Sequence, residues 1–125
     1  DRAEAVAVLT QALASGREPL ASRIAICRTL GVLGAPEARP ALLKLVEDED
    51  PLVRSAACRA LGRVGAPDDA ALLARVMTTD QSRDCRVAAI ESIGQLKARD
   101  PRVLDRLVEG MKNPDPSIRL ASYDA

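Results

Sequence analysis

A string running from Asp50 to Gly65 recurs in degraded form about every 32 residues, and that repetition constrains the fold more than any other feature of the chain. One copy spans Pro19 to Gly34, another Ser82 to Lys97, and a truncated one begins at Asp115. Arginines mark the register, with Arg23, Arg54, Arg86 and Arg119 at intervals of 31, 32 and 33. A fixed period of this length is the signature of a stacked array, in which each unit cannot bury its apolar face alone and depends on its neighbours.

The period within each copy is helical. In the clearest one, Val53, Ala56, Ala57, Ala60, Leu61 and Val64 fall at i, i+3, i+4, i+7, i+8 and i+11, one face of an amphipathic helix. The equivalent face carries Ser22, Ala25, Ile26, Thr29, Leu30 and Leu33 in the first copy, and Cys85, Ala88, Ala89, Ser92, Ile93 and Leu96 in the third. Asp50 and Asp115 suit N-caps, each followed by a proline where a helix tolerates one, while Ser82 or Asp80 must cap the third copy. Gly34-Ala35-Pro36 and Gly65-Ala66-Pro67 then close one helix, with Gly suited to a left-handed end, and open another. The second helices are expected to turn inward Ala38, Leu42, Leu45 and Val46 in one unit, Leu73, Val76 and Met77 in the next, and Leu104, Leu107 and Met111 in the third.

Each repeat is therefore predicted to be a helical hairpin. Residues 1–16, with Ala5, Val6, Leu9 and Leu13 at helical spacing, read as the second helix of a preceding repeat. Residues 19–49, 50–79 and 80–113 read as three repeats, and 114–125 as the start of a further one. The expectation is an all-α fold, an α–α superhelix of about three and a half hairpins, forming one domain excerpted from a longer array. Only 1% of the residues are aromatic, so Ala, Leu, Val and Ile must build the core. A compact protein of 13.3 kDa would expose about 6,500 Å², and a solenoid should expose more.

These residues resemble the HEAT repeat family, particularly the bacterial branch related to phycobilisome-lyase-like HEAT repeats. The motif Asp-Pro-x-Val-Arg-x-Ala-Ala-x-x-Ala-Leu-Gly-x-x-Gly is matched closely from Asp50 to Gly65 and more loosely elsewhere. The resemblance implies a right-handed superhelix with first helices on the convex side and second helices lining the concave side. It further implies a polar inter-repeat ladder carried by Asp50 and Arg54 and by Asp115 and Arg119, with Arg23 and Arg86 at equivalent places but without the Asp-Pro. About function it is nearly silent, because one fold hosts many roles.

The chemistry-bearing residues point away from catalysis. The chain has no His, which removes the commonest general base and zinc ligand. The carboxylate runs Glu47-Asp48-Glu49-Asp50 and Asp68-Asp69 read as an exposed turn before an N-cap and as negative charge at a helix start. Cys27 and Cys58 occupy equivalent places in successive repeats, too far apart for a disulfide across packed helices, and Cys85 lies at the place of Val53. Ile90 and Tyr123 take the place of Cys27 and Cys58 in later copies, so the position is expected to hold a buried apolar side chain. Three reduced thiols suit a reducing compartment, hence a cytoplasmic protein. No catalytic residue, cofactor or metal is assigned.

Function is expected on the second helices. Helical geometry points Pro40, Lys44 and Glu47 outward in one unit, Ala71, Arg75 and Thr78 in the next, and Asp105, Glu109 and Lys112 in the third. Rows such as Lys44, Arg75, Glu109 and Glu37, Asp68, Arg102 change sign along the array. Lys44, Glu47, Arg75, Arg102, Asp105 and Glu109 are thus the candidates for binding a protein or peptide of mixed charge. Zero net charge, from 18 basic and 18 acidic residues, disfavours nucleic acid, and no apolar stretch predicts a membrane span. The leading expectation is a non-catalytic protein-interaction scaffold. Two alternatives follow from the resemblance, a bilin-lyase-like subunit and a HEAT-like DNA-binding module.

Overall fold

The computed structural model describes residues 1–125 throughout and consists of helices alone. In chain order they are α1 (Arg2–Ser15), α2 (Leu20–Leu33), α3 (Arg39–Leu45), α4 (Pro51–Val64), α5 (Ala70–Thr79), α6 (Arg83–Leu96), α7 (Pro101–Gly110) and α8 (Pro116–Asp124). Single turns of 3₁₀ helix, Pro36–Ala38 and Pro67–Asp69, lead into α3 and α5. The even-numbered helices pack in sequence as one layer, and the odd-numbered helices form the other. The accessible surface, 7219 Å², exceeds the figure of about 6,500 Å² for a compact chain of this mass.

Capping sets where each helix begins. The Asp50, Asp100 and Asp115 carboxylates accept from the amides of Leu52 (2.8 Å), Arg102 (2.9 Å) and Ser117 (2.8 Å), and each is followed by a proline. Ser82 caps α6 through the amide of Cys85. The helix ends are less uniform than the shared Gly-Ala-Pro suggests. Gly34 is left-handed, with φ 62°, but Gly65 is extended, with φ −77°. Gly65 is needed for space instead: a Cβ there would lie 2.6 Å from the Leu61 carbonyl oxygen and 2.7 Å from Asp69 Oδ2.

A single core runs between the layers. Cys27, Leu30, Leu42, Ala57, Cys58, Leu61, Leu73, Cys85, Ala88, Ala89 and Ile90 are completely inaccessible, so the core is continuous across all three repeats. Small residues let the first helices come close: a Cβ on Gly62 would stand 3.0 Å from Ser92 Cα, and one on Gly31 would stand 3.2 Å from Ala60 Cα. Ser92 is buried there and donates its hydroxyl to the Cys58 carbonyl.

Several inward assignments hold only where a neighbouring hairpin stacks. Ala25 and Thr29 are exposed, although their equivalents Ala56 and Ala60 are buried against α2. In α7 the inward residues are Val103, Leu107 and Gly110, whereas Leu104 and Met111 are 44% and 37% exposed. The same side of α5, carrying Ala70 and Met77, is covered by the unit that follows it. Leu45 is only half-buried, Ala5 is exposed, and Tyr123 is 77% exposed while its equivalents Cys27, Cys58 and Ile90 are inside.

Candidate functional site

The arginines that mark the repeat sit at the seams between units, but their partners differ from those implied by the Asp-Pro motif. Arg54 pairs with Asp80 of the next repeat, Nε to Oδ2 at 2.9 Å and a second guanidinium nitrogen to Oδ1 at 3.2 Å. Its remaining nitrogen donates to the carbonyls of Asp48 and Glu49 at 2.9 and 3.1 Å, tying the guanidinium to the turn before its own helix. Asp50 takes no part in this rung because its carboxylate is engaged as the N-cap. Arg23 likewise reaches Asp48, in the turn that leads to α4, at 2.7 Å. The acidic rung thus lies two residues before the capping residue.

At the third seam the rung changes. Asn113 stands where Asp48 and Asp80 stand in the earlier units, and Arg86 donates its Nε to the Met77 carbonyl at 2.8 Å. Arg119 contacts only the carbonyls of Asn113 and Pro114. Asp115 caps α8 and meets Arg83 rather than Arg119, at 3.8 Å. The charged partners of the second seam are largely shielded, with side chains 18% and 8% exposed for Arg54 and Asp80, whereas Arg119 at the last seam is exposed.

A further cross-repeat pair was not legible from the motif. Arg39 grips Asp69 through two bonds of 2.8 and 2.6 Å, and Asp69 also accepts from the Ala66 amide. The paired Arg39 guanidinium holds the Asp69 carboxyl below its usual range, although burial pushes the other way. Asp48 and Asp69, expected in an exposed turn and at a helix start, are therefore fixed structural anions. The period of 31 between Arg39 and Ala70 offers no signal for this pair; only the three-dimensional approach of the two 3₁₀ turns creates it.

The second-helix candidates have a different character. Lys44, Glu47, Arg75, Arg102, Asp105 and Glu109 are all exposed. Arg75 and Glu47 form an inter-repeat pair at 2.9 Å, with side chains 60% and 69% exposed. Arg75 and Arg102, together with Arg106, line an open groove of about 530 Å³ between α5 and α7. Thr78, Thr79, Asp100 and Val103 also line it, as do Ala71 and Ala74. Arg106 was not singled out by the repeat, and Lys44, Asp105 and Glu109 lie outside this groove.

The thiols are free and buried. Burial pushes Cys58 up to about 12 and Cys27 up to about 11, and it raises Cys85, whose sulfur donates to the Pro51 carbonyl at 3.1 Å. Such thiols are poor nucleophiles. No group of three or more His, Cys, Asp or Glu residues is arranged to hold a metal ion. No helix is long and apolar enough to cross a membrane.

The sequence pattern of HEAT repeats matches residues 6–94, most of the chain. The chain belongs to the HEAT repeat family. No curated protein sequence matches it significantly. Among solved structures, the HEAT-repeat chain is similar to one in the complex of CpcE and CpcF of phycocyanin lyase from Nostoc sp. PCC7120. The TM-score is 0.72 at 23% identity, covering 98% of this chain and 76% of the other. That likeness is one of fold, and it agrees with the all-α solenoid read from the repeat.

Proposed function

We propose that this HEAT-repeat chain is a non-catalytic scaffold that binds a protein or peptide of mixed charge on the face formed by its second helices. One contrast carries the reading. The arginines of the first two seams, Arg23 and Arg54, are mostly shielded, with side chains 23% and 18% exposed, and are engaged by carboxylates, so they hold the array together. Those of the second helices are exposed, and the Arg75–Glu47 pair is of a kind worth only about 0–1 kcal/mol in water. Exchanging such a pair for a partner's charges costs the fold little. The groove between α5 and α7 is already formed without a partner, so its walls would order little on binding, which favours affinity.

Crosslinking followed by mass spectrometry of the protein in its native lysate would identify the partner. The variant Arg75→Ala/Arg102→Ala/Arg106→Ala should then weaken that partner by about tenfold or more, with helicity and melting unchanged. Unaltered binding by this triple variant discards the second-helix face.

A second reading, a lyase-like subunit, draws on the fold shared with the CpcE–CpcF complex. The buried thiols with raised pKa values count against a covalent chromophore carrier in this chain. Incubation with free bilin tests it: a spectral shift or covalent transfer would favour the lyase reading over the scaffold.

A further inference from the structure

The opposite face, made by the first helices, carries a groove of its own. It lies between α2 and α4, with a volume of about 420 Å³, and its walls include Ile24, Val32, Leu52, Arg28, Arg59 and Arg63. It exists because the residues at the helix contact are small. Gly31, Ala56 and Ala60 bring the backbones together but leave the space above them unfilled. Val32 and Leu52 are 73% and 56% exposed and line the same groove, so their apolar surface adjoins its basic side chains.

The neighbouring groove, between α4 and α6, is an internal comparison. There the residue at the place of Arg59 is Glu91, and the Arg59 guanidinium meets it at 3.4 Å across the helix pair. Gln95, at the place of Arg63, lies over Gly62 and fills the space above it. Between α2 and α4 the equivalent pair is Arg28 and Arg59, two cations facing across the contact, and Arg63 stands where the polar filler would be. No acidic side chain lines this groove. Neither Arg28 nor Arg63 forms an ion pair. The repeat that closes one groove with a carboxylate and an amide leaves the other open, apolar and basic.

We infer that the α2–α4 groove is a second docking site, for an acidic amphipathic segment of a partner protein. An aliphatic side chain of that segment would enter between Val32 and Leu52. Its flanking carboxylates would take, between Arg28 and Arg59 and beside Arg63, the place that Glu91 holds one repeat on. The attraction joins burial of exposed apolar surface to charge complementarity, the combination that fixes register and speeds encounter. This site is separate from the second-helix face and can be occupied together with it.

The probe is a fluorescein-labelled helical peptide with leucines along one face and glutamates flanking them, compared with its glutamine and lysine analogues. Fluorescence anisotropy with the whole 125-residue chain should show saturable binding of the glutamate peptide only. Amide shifts in NMR spectra should cluster at Ile24, Arg28, Val32, Leu52, Arg59 and Arg63. The variant Arg28→Glu/Arg63→Glu should weaken binding by about tenfold or more, and Val32→Ser/Leu52→Ser by a smaller factor. These positions are exposed, so both variants should keep the native circular dichroism spectrum. The triple variant Arg75→Ala/Arg102→Ala/Arg106→Ala should bind the peptide as the parent does. The inference is overturned if the glutamate peptide does not bind, if the glutamine analogue binds equally well, or if only the triple variant loses binding. Displacement by inorganic phosphate at equal concentration would reassign the groove to simple anions, and shifts at the same amides on raising protein concentration alone would reassign it to a second copy of the chain. Either result overturns the assignment to an acidic segment.

Discussion

Replacing Asp80 by Ala should cost more than any exposed charge in the molecule. The change removes both bonds to Arg54 and the bond that Asp80 accepts from the Ser82 amide at 2.9 Å, just before α6. It also leaves the Arg54 guanidinium, only 18% exposed, without its counter-charge. Stranding a buried partner in this way costs about 3–5 kcal/mol. The two carbonyls that Arg54 still reaches place the loss at the lower end, about 3 kcal/mol. For a chain of this length that corresponds to a fall in Tm of about 12 °C. Arg54→Met should cost a similar amount, because it strands Asp80. The double variant should then lose about 4 kcal/mol, a coupling of about 2 kcal/mol. Arg119→Met, which removes only exposed bonds to carbonyls, should cost less than about 1 kcal/mol. Urea denaturation followed by far-ultraviolet circular dichroism measures all four variants. Additivity of Arg54→Met and Asp80→Ala to within about 0.5 kcal/mol would refute the seam as a coupled unit.

Asp69 gives a pH-dependent counterpart. Because Arg39 lowers its folded pKa, the folded chain binds fewer protons than the unfolded one; the contribution is complete above the ordinary carboxylate value of about 3.9 and declines as pH falls through the folded value. Asp69→Asn should therefore destabilise by about 2 kcal/mol at neutral pH, with the difference from the parent shrinking below about pH 4. Melting curves across pH check it, and a difference that grows on acidification reverses the sign and the argument. The thiols supply a kinetic prediction: iodoacetamide at pH 8 should alkylate Cys27 and Cys58 only through opening of the fold, far more slowly than in denatured protein. Mass spectrometry of timed samples reads this, and equal rates in the native and denatured states would contradict burial.

The periodic content of the sequence translated directly into structure. The face of α4 from Val53 to Val64, the caps at Asp50, Ser82 and Asp115, and the hairpin order all depend on interactions within about one turn, so spacing alone locates them. The polar seams did not follow, because they join residues 25 to 30 positions apart whose meeting depends on how the hairpins stack. Asp48 and Asp80 fall in turns of different composition, and no short motif contains both an arginine and its carboxylate. Exposure on the second helices was legible, since outward positions follow from inward ones. The grooves were not, because they arise from side chains missing between helices: Gly31, Ala56 and Ala60 read only as favourable for packing until Val32 and Leu52 are seen standing over them.

The seams also differ from one another, and that inequality has a mechanical meaning. Between the first and second units Arg39 holds Asp69 through two short bonds, with Arg23 tied to Asp48 in the turn before α4; between the second and third the Arg54–Asp80 fork holds two. At the last, Asn113 replaces the carboxylate and the remaining charge contact, Arg83 to Asp115, is long and mostly exposed. A rod made of stiff segments flexes at its most compliant joint. Bending imposed along this array should therefore concentrate between α6 and α8, while the α2–α4–α6 stretch moves as one piece. Under tension, α7 and α8 should peel away first and leave a shorter spring whose remaining hinges are locked by buried charge.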